Sequence, residues 1–313
     1  MAQQHLRIWL LLGVMTVTAL LGRVGHAQPK TVAVRLGYPA DAKLLIIHAD
    51  DLALAHSVDA ASFAALDQKA ATSASVMVTC PWLTEVAAYA KTHPEADLGI
   101  HTTLTSEWET YRWGSVAPRD QVPSLFDAQG YLWADVPGAV NHIKPEEAER
   151  EVRAQVERAL QLGIRPTHLD NHMGTLFTHP ALLAVYLKVA REYHLPFLAV
   201  RMPNLPTTML SMLKDTDIVL DALVFPRPGL RPEEWEEGYL EVIRSLKPGL
   251  NQLIVHLGYD DAELQAITVN HPDFGAAWRQ RDFNVITGSR FKRALEENRV
   301  ILVGWKDLKK LLP

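Results

Sequence analysis

The sequence contains a single cysteine, Cys80, among 313 residues. One thiol rules out an intramolecular disulfide framework and a cysteine-built zinc site. Its setting, VMVTC, places it at the end of an apolar strand, as a core thiol would be. Clusters of Lys or Arg are also missing. There are 31 basic and 36 acidic residues, for a formal net charge of −5. That balance argues against nucleic acid as the main partner. Beyond residue 27 no run is apolar enough to cross a bilayer. Neither an internal repeat nor a low-complexity linker interrupts the chain. What remains is an ordinary globular composition, 48% hydrophobic and 21% charged.

The first residues differ from the rest. Arg7 precedes an apolar stretch, residues 8–21 (IWLLLGVMTVTALL), and small residues follow, ending in Gly25-His26-Ala27. This is the pattern of a secretory signal peptide, residues 1–27, with a retained membrane anchor as the alternative. It predicts an exported protein, periplasmic or secreted. Cleavage after Ala27 would leave 286 of the 313 residues. Residues 28–313 then form one large domain.

Within that domain short apolar runs alternate with longer amphipathic ones. Strands are expected at residues 43–48, 75–79, 97–101, 167–171, 197–201, 218–224, 252–256 and 300–304. Helices are expected at 58–69, 83–92, 145–162, 180–193 and 232–246. The third of these opens with Pro145, Glu146 and Glu147, the chemistry of a first turn, and Gly163 closes it. An insertion, roughly residues 105–143, breaks the alternation. Continuous apolar strands between helices predict a parallel sheet with helical cover. The expected fold is an irregular, TIM-like (β/α) barrel of seven or eight mainly parallel strands.

Polar residues collect where these strands end. His48-Ala49-Asp50-Asp51 closes the first, and His101 the third, in Gly99-Ile100-His101. His168, Asp170 and His172 alternate across the end of the fourth, in THLDNH, and His256 ends a late strand in LIVHLGY. In a parallel barrel these ends meet at one face, where active sites form. By period-two alternation His168, Asp170 and His172 share a face. An Asp-Asp pair ending an apolar strand is costly unless a cation or a proton compensates it. A divalent metal bound by imidazole and carboxylate supplies that compensation. His48, His56, His93, His142, His179, His194 and His271 have no such convergent setting, and no role is expected of them.

Four segments in order, ADD, GIH, PTHLDNH and HLGYDDAEL, resemble the YdjC-type sugar deacetylases, a family that includes chitooligosaccharide deacetylases and hopanoid-associated members. The resemblance runs from about Lys43 to Leu264. It implies one divalent cation held by Asp51, His101 and His172 in an irregular α/β barrel. It also implies Asp50 as general base and His256 as acid in removing an N-acetyl group from an amino sugar, oligosaccharide or glycolipid. The chain departs from the family at His172-Met173-Gly174, where a histidine-rich run is usual. It departs again at His256-Leu257-Gly258 for His-Pro-Gly, at His48 for Asn, and at Leu52-Ala53 for Phe-Gly. These changes bear on substrate identity more than on metal binding.

Two histidines with one carboxylate suit zinc, although manganese, cobalt, nickel and iron accept the same set. Magnesium, which the resemblance leaves open, prefers more oxygen ligands. Asp170 is placed to orient a histidine through its second ring nitrogen. Arg201 is a candidate to hold a substrate hydroxyl or Asp50. In the insertion, Trp108 and Trp113, with Tyr111, are expected to stack on sugar faces. The partner is then a small-molecule or oligosaccharide substrate, and a homodimer is compatible with the sequence. Two readings compete: a metal-dependent hydrolase of another amide, ester or phosphate ester, and an inactive envelope protein that only binds carbohydrate.

Overall fold

The computed structural model describes residues 31–201 and 211–313; the expected signal peptide, residues 1–27, lies outside them. In chain order the elements are α1 (Val32–Arg35), β1 (Lys43–Leu52), α2 (His56–Asp67), β2 (Ser73–Val76), α3 (Leu83–Thr92) and β3 (Leu98–Thr102). The insertion follows, with α4 (Val136–His142) near its end, and then α5 (Pro145–Gln161), β4 (Leu169–Asn171) and α6 (Pro180–Glu192). The last part holds β5 (Ala222–Val224), α7 (Trp235–Ser245), β6 (Gly249–Val255), α8 (Ala262–Ile267), α9 (Ala276–Thr287), α10 (Ser289–Glu297), β7 (Val300–Leu302) and α11 (Trp305–Lys309). None of the described helices is long and apolar enough to cross a membrane.

All strand pairs are parallel, in the order β4-β3-β2-β1-β6-β5, with β7 also on β1. β1 pairs with β6 from Lys43 to Ala49. Its residues 43–45 pair with β7 as well, and β2 joins from His48 onward. A strand has two edges, so β7 and β2 share the edge opposite β6. The strand expected at 197–201 is absent as such. Single bridges, Leu169 with Phe197 and Val200 with Leu220, carry the pairing from β4 towards β5. The sheet therefore curls into the irregular α/β barrel that the strand pattern predicts.

Alternation along β1 sorts its side chains. Leu45, Ile47 and Ala49 pack outward with helix residues such as Val58, Ala61 and Val152. Leu44 and Ile46 point inward, with Leu198, Leu220, Leu250 and Trp305. Higher on this inward face come His48 and then Asp50, so the interior changes from apolar at the base to polar at the mouth. Gly99 belongs to the change. A Cβ there would lie 2.4 Å from the His168 ring, which stacks on Trp305 at 5.0 Å and meets His48 edge-on at 5.0 Å.

The helix signals hold where local chemistry is complete. α5 starts on Pro145 with Glu146 and Glu147 in its first turn, and Gly163 after it takes φ +84°. The insertion is fastened to α5 by buried carboxylates. Glu151 accepts from the Val116 and Ala117 amides at 2.9 and 2.8 Å, and Glu147 from Ser124 at 2.7 Å. Cys80 is buried as expected, but in the turn beyond β2 rather than at its end. Gly99→Ala should lower stability by about 1–3 kcal/mol through overpacking against the His168 ring. A melting curve that matches the parent's would show that the ring can move aside.

Candidate active site

Strict alternation would turn the neighbours Asp50 and Asp51 to opposite faces of β1. The pairing with β2 slips between Ala49 and Leu52, and Asp51 takes φ +71°. This bulge re-aims the strand end. Both carboxylates reach the same cavity, a cleft of about 900 Å³ at the C-terminal end of the strands. His101 comes from β3, His172 from the residue after β4, and His256 from the residue after β6. All three line that cavity.

Three donor atoms form a small triangle. His101 Nε2 lies 3.3 Å and His172 Nδ1 3.4 Å from Asp51 Oδ1, and the two nitrogens are 3.2 Å apart. Each of the three residues has a different partner behind it. His101 Nδ1 is 3.3 Å from Asp170 Oδ2, and His172 Nε2 is 3.0 Å from Glu107. The Arg279 guanidinium donates to Asp51 Oδ2 at 2.7 Å. Asp170 thus lies behind His101, outside the triangle.

Asp50 and His256 complete the group. His256 Nε2 lies 3.8 Å from Asp50 Oδ2, and His101 Nε2 is also 3.8 Å from that oxygen. Asp282, on α9, accepts from the His256 amide at 3.1 Å, from Trp235 Nε1 at 2.8 Å and from the Tyr239 hydroxyl at 2.6 Å. It anchors the loop that carries His256.

The electrostatics differ sharply between neighbours. Burial, reinforced by Asp170 and Asp51, lifts the Asp50 carboxyl to about 7 against the pull of His101 and His48. Burial also opposes charge on Asp51, but Arg279 and the two adjacent histidine rings outweigh it and hold that carboxyl well below the usual range. His172 is buried too, yet Glu107 and Asp51 raise its ring to about 9. Burial pushes His256 down to about 3, so its ring is neutral. Two adjacent carboxylates therefore stand apart in function. One is a fixed anion and the other exchanges its proton near neutrality.

Four placements differ from the sequence expectation, beginning with Tyr111, which does not line the cavity and donates its hydroxyl to the Leu54 carbonyl at 2.7 Å. Trp113 is 4% exposed and lies behind His172, with its indole N–H donating to the Thr105 carbonyl at 2.8 Å. It does not line the cavity, whereas Trp108 does. Arg201 is exposed and also away from the lining, because residues 197–201 form bridges rather than a strand that would aim it inward. His48, of which the sequence pattern predicts no role, is fully buried between Asp50 and Asp170. Its position two residues before Asp50 on one strand was the available signal. Glu107 sits in an irregular loop and Arg279 on a distant helix, and no sequence period marks either.

Arg279 and Asp51 are 1% and 3% exposed at the side chain. Removing the guanidinium in Arg279→Met strands a buried carboxylate, so denaturation in a chelator should show a loss of about 3–5 kcal/mol. Added divalent cation should restore part of it. A variant as stable as the parent under chelation would show that the pair does not hold Asp51.

Comparison with known proteins identifies the family. The family described as YdjC-like protein matches residues 44–297. A carbohydrate deacetylase of Thermus thermophilus is 32% identical over 267 residues, covering 82% of this chain and 90% of that one. A carbohydrate deacetylase of Brevibacillus brevis is 28% identical over 266 residues, covering 84% and 99%. A crystal structure from Enterococcus faecalis, described as a candidate cellobiose-phosphate cleavage protein, superposes with a TM-score of 0.71. It is 26% identical and covers 85% of this chain and 99% of that one. With a family match that spans most of the chain and relatives aligned nearly end to end, the protein belongs to the YdjC-like family.

Proposed function

We propose that the protein is an exported, divalent-metal-dependent carbohydrate N-deacetylase. Its substrate is an amino sugar or an oligosaccharide or glycolipid that contains N-acetylglucosamine. The observation that carries the reading is the donor triangle beside Asp50 and His256. Its edges, 3.2, 3.3 and 3.4 Å, match the roughly 3.3 Å between donors of a tetrahedral ion with bonds of about 2.0–2.1 Å. Octahedral magnesium at about 2.1 Å would set neighbouring donors nearer 3.0 Å and favour oxygen. Asp51 Oδ1 is buried without a hydrogen-bond partner, as a cation-facing oxygen would be. The set fits zinc best.

When bound, the cation supplies Lewis acidity, bringing a water's pKa towards neutrality and polarising an acyl carbonyl. The chain's own groups do the rest. Asp50, titrating near 7, takes the proton of the attacking water. His256 Nε2, 3.8 Å from Asp50 Oδ2, stands where it can deliver a proton to the departing sugar nitrogen. Its ring is neutral, so the proton it delivers is the one that Asp50 has taken from the water and passes on to it. Glu107 and Asp170 keep the two ligand rings turned inward, and Arg279 fixes Asp51. Trp108 offers an aromatic wall, edge-on to His271.

The relatives named carbohydrate deacetylase support the acetyl amide as the bond cleaved. Phosphate-ester cleavage would call for a basic clamp. The two guanidiniums that line the cavity, Arg227 and Arg279, are already paired with Glu234 and Asp51.

Purified mature protein should carry close to one equivalent of metal and release acetate from N-acetylglucosamine oligomers. Asp50→Asn should keep the metal and lose activity by a factor of about 100 or more. His101→Ala should lose both. Metal without acetate release from any amino sugar would sink the deacetylase reading in favour of another hydrolase. No bound metal, with sugar binding intact, would favour a carbohydrate-binding protein.

A further inference from the structure

His48 is fully buried in the barrel interior and touches two carboxylates of the site at once. It lies on β1, on the same inward face as Asp50, opposite its register partner Ser73 on β2. Its Nδ1 is 2.6 Å from Ser73 Oγ. Its Nε2 is 3.0 Å from Asp170 Oδ2 and 3.3 Å from Asp50 Oδ1. The ring cannot drift. It meets His168 edge-on at 5.0 Å, and His168 is stacked in turn on Trp305.

These contacts place one ring proton. A lone pair on Nε2 would face two carboxylates across about 3 Å without screening, whereas an N–H there is attracted to both. An N–H therefore belongs on Nε2, while Nδ1 meets the Ser73 hydroxyl. Asp170 Oδ2 also receives Ser75 Oγ at 3.3 Å and lies 3.3 Å from His101 Nδ1. A single buried N–H thus sits between Asp50 and the carboxylate that aims His101 at the metal position.

We infer that His48 is a positioning residue for both halves of the site: its Nε2–H holds the Asp50 carboxylate towards the cavity and seats Asp170 against His101. The metal half of the claim stands on geometry alone. The turnover half rests on the deacetylase reading above.

Two substitutions separate this role from simple packing. A Gln side chain can place an amide N–H near the position of Nε2, whereas an Asn side chain reaches only the Nδ1 position. His48→Asn should therefore weaken zinc binding by about tenfold or more, read by chelator competition without substrate. It should also cut kcat for acetate release by at least about tenfold while KM stays within about twofold. His48→Gln should recover most of both, and both variants should keep a cooperative melt. Unchanged zinc affinity in His48→Asn would overturn the inference, as would equal losses in the two variants. Loss of the melting transition in both would mark the ring as packing only, which also overturns it. If the parent releases no acetate from any amino sugar, the deacetylase reading fails while zinc affinity still decides the role of His48.

Discussion

The structure is organised around a concentration of buried negative charge. Asp50, Asp51 and Asp170 are each 6% exposed or less, and all lie within one end of the barrel. A carboxylate transferred from water to such a place is costly unless something answers its charge. Here every one is answered, and each differently. Arg279 answers Asp51, the histidines answer Asp170, and Asp50 responds by holding its proton up to pH about 7. Much of the architecture around the mouth follows from that requirement, including the helix that brings Arg279 and the loop that brings Glu107.

The bulge in β1 makes the concentration possible. An unbroken strand would send one of two adjacent aspartates into the outer helical layer, where Leu45, Ile47 and Ala49 pack. The register slip and the left-handed Asp51 bring both to the cavity. Holding a non-glycine residue at φ +71° costs free energy, of order 1–3 kcal/mol. Its persistence points to the surrounding contacts, chiefly the Arg279 hydrogen bond and the Ala53 amide that donates to Asp59 at 2.6 Å.

This also explains what sequence could and could not reveal. Asp51, His101, His172 and His256 were legible because each ends an apolar strand, and the ends of parallel strands share one face. Asp170 was legible from period two. The bulge was not, because an ADD triplet looks the same whether or not the strand slips. The strand expected at 197–201 is apolar enough but pairs only through single bridges, so Arg201 is not aimed inward. Trp113 carries the composition of a sugar-stacking ring. Its indole N–H instead found a backbone carbonyl in the core, and nothing in a local pattern distinguishes the two fates.

The insertion also has a second job besides presenting Trp108 to the cavity. Glu147 and Glu151 tie its backbone to α5, and Arg112 ties its middle to Asp127 and the Leu132 carbonyl. Trp113 and Glu107 then bear on His172 from two sides. His172 itself follows a three-residue strand and precedes two left-handed residues, Met173 and Gly174, so its own backbone gives it little support. The ring is held by the insertion instead. A histidine after a three-residue strand is thereby held in the donor triangle, which depends on that outside support as well as on the barrel.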